Sequence, residues 1–130
     1  MTAVAPRFDS VDELLADARS RLNRVYVDDI PEELATGARL VDIRPAWQRA
    51  YEGQIPGALV VERNHLEWRL HPRSSARLPD AIDGQRWIVV CSAGYTSSLA
   101  ADALLSLGLD ATDLVGGFQA WEAAGLPTTE

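Results

Sequence analysis

The feature that most constrains the fold is one junction in the sequence, WIVVCSAGYTSSLAADALLSLG, which runs from Trp87 to Gly108. Its first four residues form a continuous apolar run, which is typical of a buried strand. A short loop of small and polar residues follows. Apolar residues then recur at helical spacing from Ser97 to Leu107, and Gly108 is a common C-terminal signal. The stretch therefore predicts a strand, a tight loop and a helix in direct succession.

The same alternation of strand and helix patterns extends along the rest of the chain. An N-terminal helix is predicted over 11–23, where Ser10 and Glu13 form a capping-box pattern. Further helices are predicted over 30–36, 45–51, 64–70 and 118–124, and strands over 25–27, 40–43, 58–61 and 112–115. Residues 71–86 read mostly as loop. Strands that alternate with helices indicate an α/β domain with a mainly parallel sheet.

Length and charge restrict the possible functions. The chain has 130 residues, which is the size of one ordinary domain. Its net charge is −7, from 12 basic and 19 acidic residues, and this balance argues against general nucleic-acid binding. All the basic residues are arginines. Lysine chemistry, such as a Schiff base or a P-loop lysine, is therefore excluded.

The metal-binding and membrane classes are also disfavoured. One cysteine and two histidines are too few for a structural zinc site, and one cysteine cannot form an internal disulfide. We expect no metal and no cofactor. The N-terminal sequence lacks a signal-peptide pattern, and no apolar stretch approaches the roughly 20 residues of a membrane span. The sequence thus predicts a cytoplasmic protein that binds neither nucleic acid nor membrane.

The loop around Cys91 has the properties of a nucleophile site. Cys91 follows a predicted strand, at the edge where open α/β sheets bind their ligands. Gly94 permits a tight turn whose backbone N–H groups point at the sulfur, and the positive end of the next helix adds to this field. Such surroundings favour a thiolate and would hold an anionic substrate. The alternative is an inert, buried thiol, since free cysteine is often buried.

Three motifs, in this order, resemble those of the single-domain rhodaneses, a family of sulfurtransferases. LVDIRPAWQRAYEGQIPGA, over Leu40–Ala58, is similar to the family's N-terminal signature. VVCSAGYTSS resembles its active-site loop, and LVGGFQAWEAAGLPT, over Leu114–Thr128, resembles its C-terminal signature. The predicted helix at 11–23 lies outside this resemblance. We therefore divide the chain into an N-terminal helical extension, 1–24, and a rhodanese-like domain, 25–130.

The resemblance implies a fold and a mechanism. The fold is a three-layer α/β domain, with a central, mostly parallel sheet of about five strands and helices on both faces. Cys91 would take the outer sulfur of a donor such as thiosulfate and pass it, as a persulfide, to a small-molecule or protein thiol. The resemblance assigns substrate binding to the loop and a structural role to Asp42 and Arg44. The loop comprises Ser92, Ala93, Gly94, Tyr95, Thr96 and Ser97.

The loop differs from many active members of the family because it carries no charge. Thiosulfate is a dianion, so backbone donors or an arginine from elsewhere in the chain must help to bind it. Arg63, which follows the predicted strand 58–61, is our candidate for this role. Arg69 is a further possibility, whereas the family's Asp-x-Arg motif assigns Arg44 to structure.

Two other functions compete with sulfur transfer. Phosphatases and arsenate reductases related to rhodaneses use a loop of Cys, five residues and Arg. The corresponding position here is Ser97, so the residue that clamps the oxyanion is missing. A non-catalytic module that binds partners or senses sulfur status is the second alternative. It requires Cys91 to be blocked or unreactive.

Overall fold

Within residues 4–130, which the computed structural model describes, the chain forms six α-helices and four β-strands. The helices are α1 (Val11–Arg19), α2 (Ile30–Ala35), α3 (Ala46–Glu52), α4 (Leu66–Leu70), α5 (Thr96–Ser106) and α6 (Gly117–Ala123). The strands are β1 (Arg39–Asp42), β2 (Leu59–Val60), β3 (Arg86–Val90) and β4 (Asp110–Asp113). Residues 1–3 of the predicted extension lie outside the described range. The predicted alternation of strands and helices is confirmed.

The strands form a parallel sheet in the order β2-β1-β3-β4, which places β1 and β3 at its centre. The strand predicted at 25–27 is reduced to a single parallel bridge between Val25 and Leu114, at the outer edge of β4. It extends no further because a 3₁₀ turn begins at Val27 and the Asp29 carboxylate accepts a hydrogen bond from the Tyr26 N–H at 3.1 Å. The sheet thus has four strands rather than about five.

The core lies in two clusters, one on each face of the sheet, so the three-layer architecture is confirmed. Alternate residues of β3 supply both clusters: Trp87 and Val89 face one side, and Ile88 and Val90 face the other. The first cluster packs against α4 and α5, and its buried members include Leu66, Leu70, Ala100, Ala101 and Leu104. The second packs against α2 and α6, and its buried members include Ile30, Phe118 and Trp121.

Helix α1 packs against α5 and ends earlier than its apolar pattern suggested. Ser10 caps it by accepting a hydrogen bond from the Glu13 N–H at 3.1 Å, as the capping-box pattern predicted. The helix ends at Arg19 because the next turn tightens, with 3₁₀-type bonds such as Leu22 N–H to the Arg19 carbonyl at 3.1 Å. Leu22 still packs into the first core cluster. The early end lets residues 20–24 run as an irregular segment towards the end of β4.

None of the helices in the described part of the chain is both long enough and apolar enough to cross a bilayer.

Helix α5 provides a test of the core, because two leucines near its C-terminal end differ in burial. Leu104 is fully buried, whereas Leu107 is 43% exposed. We expect Leu104→Ala to lower the free energy of unfolding by about 2–5 kcal/mol, since it leaves a cavity in the first core cluster. The control Leu107→Ala should cost about 0.5–1 kcal/mol. Urea unfolding followed by circular dichroism measures both, and equal losses would contradict the packing described here.

Candidate active site

The parallel sheet places the ends of three strands side by side around Cys91. In the strand register, Asp42 at the end of β1 is opposite Val90, and Asp113 at the end of β4 is opposite Val89. Cys91 comes directly after β3, so it lies between these two strand ends. This is the carboxyl edge at which open α/β sheets bind ligands. The position predicted for the cysteine from the sequence is therefore the observed one.

The sulfur of Cys91 accepts two backbone hydrogen bonds from its own loop. The Gly94 N–H lies 3.2 Å from Sγ, and the Ser97 N–H lies 3.4 Å from it. Helix α5 begins at Thr96, so the Ser97 N–H belongs to the first turn of the helix. This turn is the positive end of the helix dipole. Cys91 itself is 6% exposed. N–H donors aimed at sulfur favour its anionic form, so the loop is suited to a thiolate or a persulfide anion.

The loop owes its shape to Gly94, which has a φ of 87°. A Cβ at this position would lie 2.7 Å from the Gly116 backbone nitrogen, in the turn that leads into α6. That turn packs so closely that the Phe118 N–H donates to the Cys91 carbonyl at 2.8 Å, and the Gln119 N–H donates to the Ser92 carbonyl at 3.0 Å. The N–H groups at the start of α6 thus bind the first carbonyls of the loop, while the Gly94 and Ser97 N–H groups bind the sulfur.

The other predicted loop residues have different surroundings. The Ser92 hydroxyl donates to Glu52 Oε2 at 2.7 Å, and the Gln119 amide donates to Ser92 Oγ at 3.2 Å. Tyr95 is 64% exposed at the tip of the loop, and Thr96 is also exposed. Ala93 is half-buried, and Ser97 is fully buried. Substrate binding by these side chains stays a prediction.

The carboxylate of Asp113, which the sequence analysis did not single out, is buried directly behind the loop. The Ser97 and Ser98 hydroxyls each donate to its Oδ2 at 2.8 Å. Arg24 donates from Nε to Oδ1 at 2.9 Å and from Nη2 to Oδ2 at 3.1 Å. Four hydrogen bonds, two of them from the paired guanidinium of Arg24, therefore compensate for the burial of this charge.

Two arginines from the N-terminal segment reach the loop itself. Arg19 Nη2 donates to the Gly94 carbonyl at 2.7 Å, and Arg24 Nη2 donates to the same oxygen at 3.0 Å. Arg19 also donates from Nε to Ser98 Oγ at 3.0 Å, and its guanidinium lies 5.9 Å from the centre of the Tyr95 ring. Sequence reasoning missed both arginines. It placed the N-terminal helix outside the domain, and nothing local links that helix to Gly94.

Asp42 and Arg44 form a buried ion pair on the other side of the site, with Arg44 Nη2 2.7 Å from Asp42 Oδ2. Arg44 also binds Glu52 Oε1 at 3.0 Å and the Gly53 carbonyl at 2.9 Å, and it lies 4.2 Å from the centre of the Phe118 ring. Burial acts to lower the pKa of Arg44, but its bonds to Asp42 and Glu52 outweigh burial and raise that pKa. These contacts support a structural role for the pair.

Arg63, the candidate for binding a substrate anion, lies in a 3₁₀ turn before α4. Its Nη1 donates to Glu67 Oε1 at 2.8 Å, in an ion pair of i,i+4 spacing, and its side chain is partly exposed. It borders a surface groove with Ile43, Pro45 and Asn64. A substrate role for Arg63 stays a prediction, and its charge is already paired.

The Gly94 turn can be tested against a matched glycine. Gly84 has a similar φ of 80°, but a Cβ there would meet nothing within 4 Å. We expect Gly84→Ala to cost about 1–2 kcal/mol in the free energy of unfolding, from backbone strain alone. Gly94→Ala should cost more than about 3 kcal/mol, because strain and the collision with Gly116 add.

Gly94→Ala should also change the alkylation rate of Cys91 by iodoacetamide, because the Gly94 N–H leaves the sulfur. Gly84→Ala should leave this rate unchanged. Urea unfolding and intact mass against time measure the two effects. Indistinguishable results for the two variants would contradict the close packing of the loop against the Gly116 turn.

Comparison with known proteins identifies the family. The sequence profile of the rhodanese-like domain matches residues 26–124. Among solved structures, a thiosulfate sulfurtransferase from Pseudomonas aeruginosa is 27% identical, with a TM-score of 0.67. The match covers 85% of this chain and 20% of that one, so the chain spans about a fifth of that protein. A rhodanese-related protein from Thermoplasma volcanium matches 81% of this chain and 95% of its own, with 23% identity and a TM-score of 0.65.

A protein of unknown function from Rhodopseudomonas palustris, described as a possible tyrosine phosphatase, is similar over nearly the whole length. It is 28% identical, has a TM-score of 0.85, and the match covers 98% of both chains. This coverage takes in helix α1, which lies before the family profile begins. No curated protein matches the chain. The profile covers most of the chain and includes the strand, loop and helix that hold Cys91, and the chain therefore belongs to the rhodanese-like domain family.

Proposed function

We propose that the protein is a sulfurtransferase that carries sulfane sulfur as a persulfide on Cys91. The observation that supports this most directly is the pair of N–H donors, from Gly94 and Ser97, on the Cys91 sulfur. Donors in this arrangement stabilise a sulfur anion, and both the attacking thiolate and the product persulfide anion carry their negative charge on sulfur. Family membership and the sulfurtransferase among the structural neighbours add to the case.

In the first step, the Cys91 thiolate attacks the outer sulfur of a donor such as thiosulfate. A bond forms between Sγ and that sulfur, the S–S bond of thiosulfate breaks, and its electron pair leaves with sulfite. Charge is conserved, because a thiolate and a dianion become a persulfide anion and a dianion. The Gly94 and Ser97 N–H groups stabilise both the thiolate and the persulfide. The negative charge lies on Sγ in the thiolate and on the sulfur bonded to Sγ in the persulfide.

In the second step, a thiophilic acceptor removes the outer sulfur. A thiolate or cyanide attacks it, the bond to Sγ breaks, and the electron pair returns to Cys91 as the thiolate. The acceptor becomes a persulfide or thiocyanate. A resolving cysteine in this chain is not needed, which agrees with the single cysteine in the sequence. The acceptor is a small thiol or a protein thiol, and a free reactive cysteine fits a reducing compartment such as the cytoplasm.

The two carboxylates at the strand ends beside the sulfur are each paired with an arginine. Asp42 at the end of β1 binds Arg44, and Asp113 at the end of β4 binds Arg24. Unpaired carboxylates at these strand ends would repel a thiolate and a dianion alike. The pairing reduces this repulsion, and the Asp42 side keeps one negative charge because Arg44 also binds Glu52.

Phosphoryl transfer is the second candidate, because the Rhodopseudomonas palustris neighbour is described as a possible tyrosine phosphatase. Such enzymes hold the phosphoryl oxygens with an arginine six residues after the cysteine. In this chain that position is Ser97, whose hydroxyl donates to the Asp113 carboxylate. A serine bound to a carboxylate cannot neutralise the transferring phosphoryl group, so we favour sulfur transfer.

A binding module that does not catalyse sulfur transfer is the third candidate. Cys91 is 6% exposed, and this degree of burial is also found for inert thiols. An inert thiol has no need of two N–H donors on its sulfur, which is why we rank this function below catalysis.

The test is the intact mass of the protein after incubation with thiosulfate, for the native chain and for Cys91→Ser. We expect the native chain alone to gain one sulfur atom and to lose it again when cyanide is added. The cyanide step should release thiocyanate in equal amount. The serine variant should keep its mass, because it lacks the nucleophile.

The same samples separate the competing functions. Hydrolysis of p-nitrophenyl phosphate that depends on Cys91, without sulfur gain, would contradict the proposal in favour of phosphoryl transfer. The third possible result is that the native chain gains no sulfur from thiosulfate or from an organic polysulfide and does not react with iodoacetamide. This result would contradict sulfur transfer and favour the binding module.

A further inference from the structure

The two residues that donate N–H groups to the Cys91 sulfur each make a second hydrogen bond, to a charged side chain. Gly94 donates its N–H to Sγ while its carbonyl accepts from Arg19 and Arg24. Ser97 donates its N–H to Sγ while its hydroxyl donates to Asp113. Both donor residues are therefore anchored by bonds to charged groups, and such bonds are stronger than those between neutral partners.

These holding contacts close into a ring. Arg19 donates to Ser98 Oγ at 3.0 Å, and Ser98 donates to Asp113 at 2.8 Å. Arg24 donates to Asp113 at 2.9 Å and to the Gly94 carbonyl at 3.0 Å, and Arg19 completes the ring on that carbonyl at 2.7 Å. Members of a closed hydrogen-bond network fix one another's orientation.

The ring also carries charge. It contains two guanidinium groups and one carboxylate, which leaves one positive charge directly behind the loop. The loop from Ser92 to Ser98 has no charged side chain of its own. Positive charge is therefore present next to the loop, on Arg19 and Arg24, which lie 75 and 70 residues before Gly94 in the sequence.

We propose that Arg19 and Arg24 are positioning residues for Cys91, which hold its two N–H donors in place and supply the positive charge that the loop lacks. This gives the N-terminal segment a role in the chemistry of the thiol. It deepens the proposed sulfurtransferase function and rests on it for the identity of the substrate. The effect on Cys91 reactivity does not depend on which reaction the thiol performs.

The experiment compares alkylation of Cys91 by neutral iodoacetamide and by anionic iodoacetate in Arg19→Gln, Arg19→Lys and the native full-length chain. Arg21→Gln is the control. Arg21 lies two residues beyond Arg19 and binds Asp17 and Asp102, with no contact to the loop. The rate constants come from intact mass against time at one fixed pH and low ionic strength, where the charge is least screened.

We expect Arg19→Gln to slow iodoacetamide about threefold and iodoacetate about tenfold, since losing a charge-assisted hydrogen bond also removes a cation. Arg19→Lys should restore the ratio of the two rates, because it restores the charge. The single ammonium of lysine cannot bind both Gly94 and Ser98 as the planar guanidinium of arginine does. Each rate should therefore stay about threefold below native. Arg21→Gln should match the native chain with both reagents.

A merely structural role for Arg19 would lower the melting temperature without changing the ratio of the two rates. An unchanged ratio in a folded Arg19→Gln variant overturns the proposal, and so does an equal loss in Arg21→Gln. If Arg19→Gln does not fold, Arg19→Lys decides, and native rates with both reagents then overturn the proposal. Absence of persulfide on the native chain with both thiosulfate and an organic polysulfide would defeat the proposed function while leaving the alkylation result to stand on its own.

Discussion

The buried carboxylate of Asp113 is the charge around which the cysteine loop is organised. It accepts four hydrogen bonds from Arg24, Ser97 and Ser98, at distances from 2.8 to 3.1 Å. A carboxylate excluded from water is costly unless such partners are present. Ser97 and Ser98, in the first turn of α5, bind this carboxylate from one side. Arg24, in the segment after α1, binds it from the other side. The result is a loop held by side chains that lie far apart in the sequence.

The backbone of the loop divides its polar groups between two tasks. Its early carbonyls, from Cys91 and Ser92, accept N–H groups at the start of α6, and the Gly94 carbonyl accepts two arginines. Two N–H groups, from Gly94 and Ser97, are left for the sulfur. This division depends on the positive φ of Gly94 and on the close approach of the Gly116 turn, where a side chain would not fit. A loop without charged side chains can in this way still present a positive surface to an anion.

The parts of this structure that follow from local sequence signals could be predicted. The strand, loop and helix around Cys91 follow from an apolar run, a glycine and a helical pattern, and each of these acts over a few residues. The prediction of a strand over 25–27 was wrong in extent, because the side chain of Asp29 binds the Tyr26 N–H and the chain turns there. The early end of α1 was missed for a similar reason, since a 3₁₀ turn keeps Leu22 in the core without continuing the helix.

The supporting ring of the site could not be predicted in this way. Its bonds join Arg19 to Gly94 and Arg24 to Asp113, across 75 and 89 residues, and no local pattern encodes such pairs. One signal was available: Asp113 ends a buried strand at the same sheet edge as Cys91, and a carboxylate there needs a partner. Its place after a strand makes Arg63 the candidate cation from the sequence, yet its charge is paired with Glu67, whereas Arg19 and Arg24 reach the loop.

We propose that the Gly94 and Ser97 N–H groups hold the Cys91 sulfur as an anion for sulfur transfer. The decisive measurement is a high-resolution crystal structure of the thiosulfate-treated protein. We expect one additional sulfur atom bonded to Sγ, with the Gly94 and Ser97 N–H groups within hydrogen-bond distance of the persulfide. An unmodified Cys91 in protein that has been exposed to excess donor, with both N–H groups turned away from the sulfur, would contradict it.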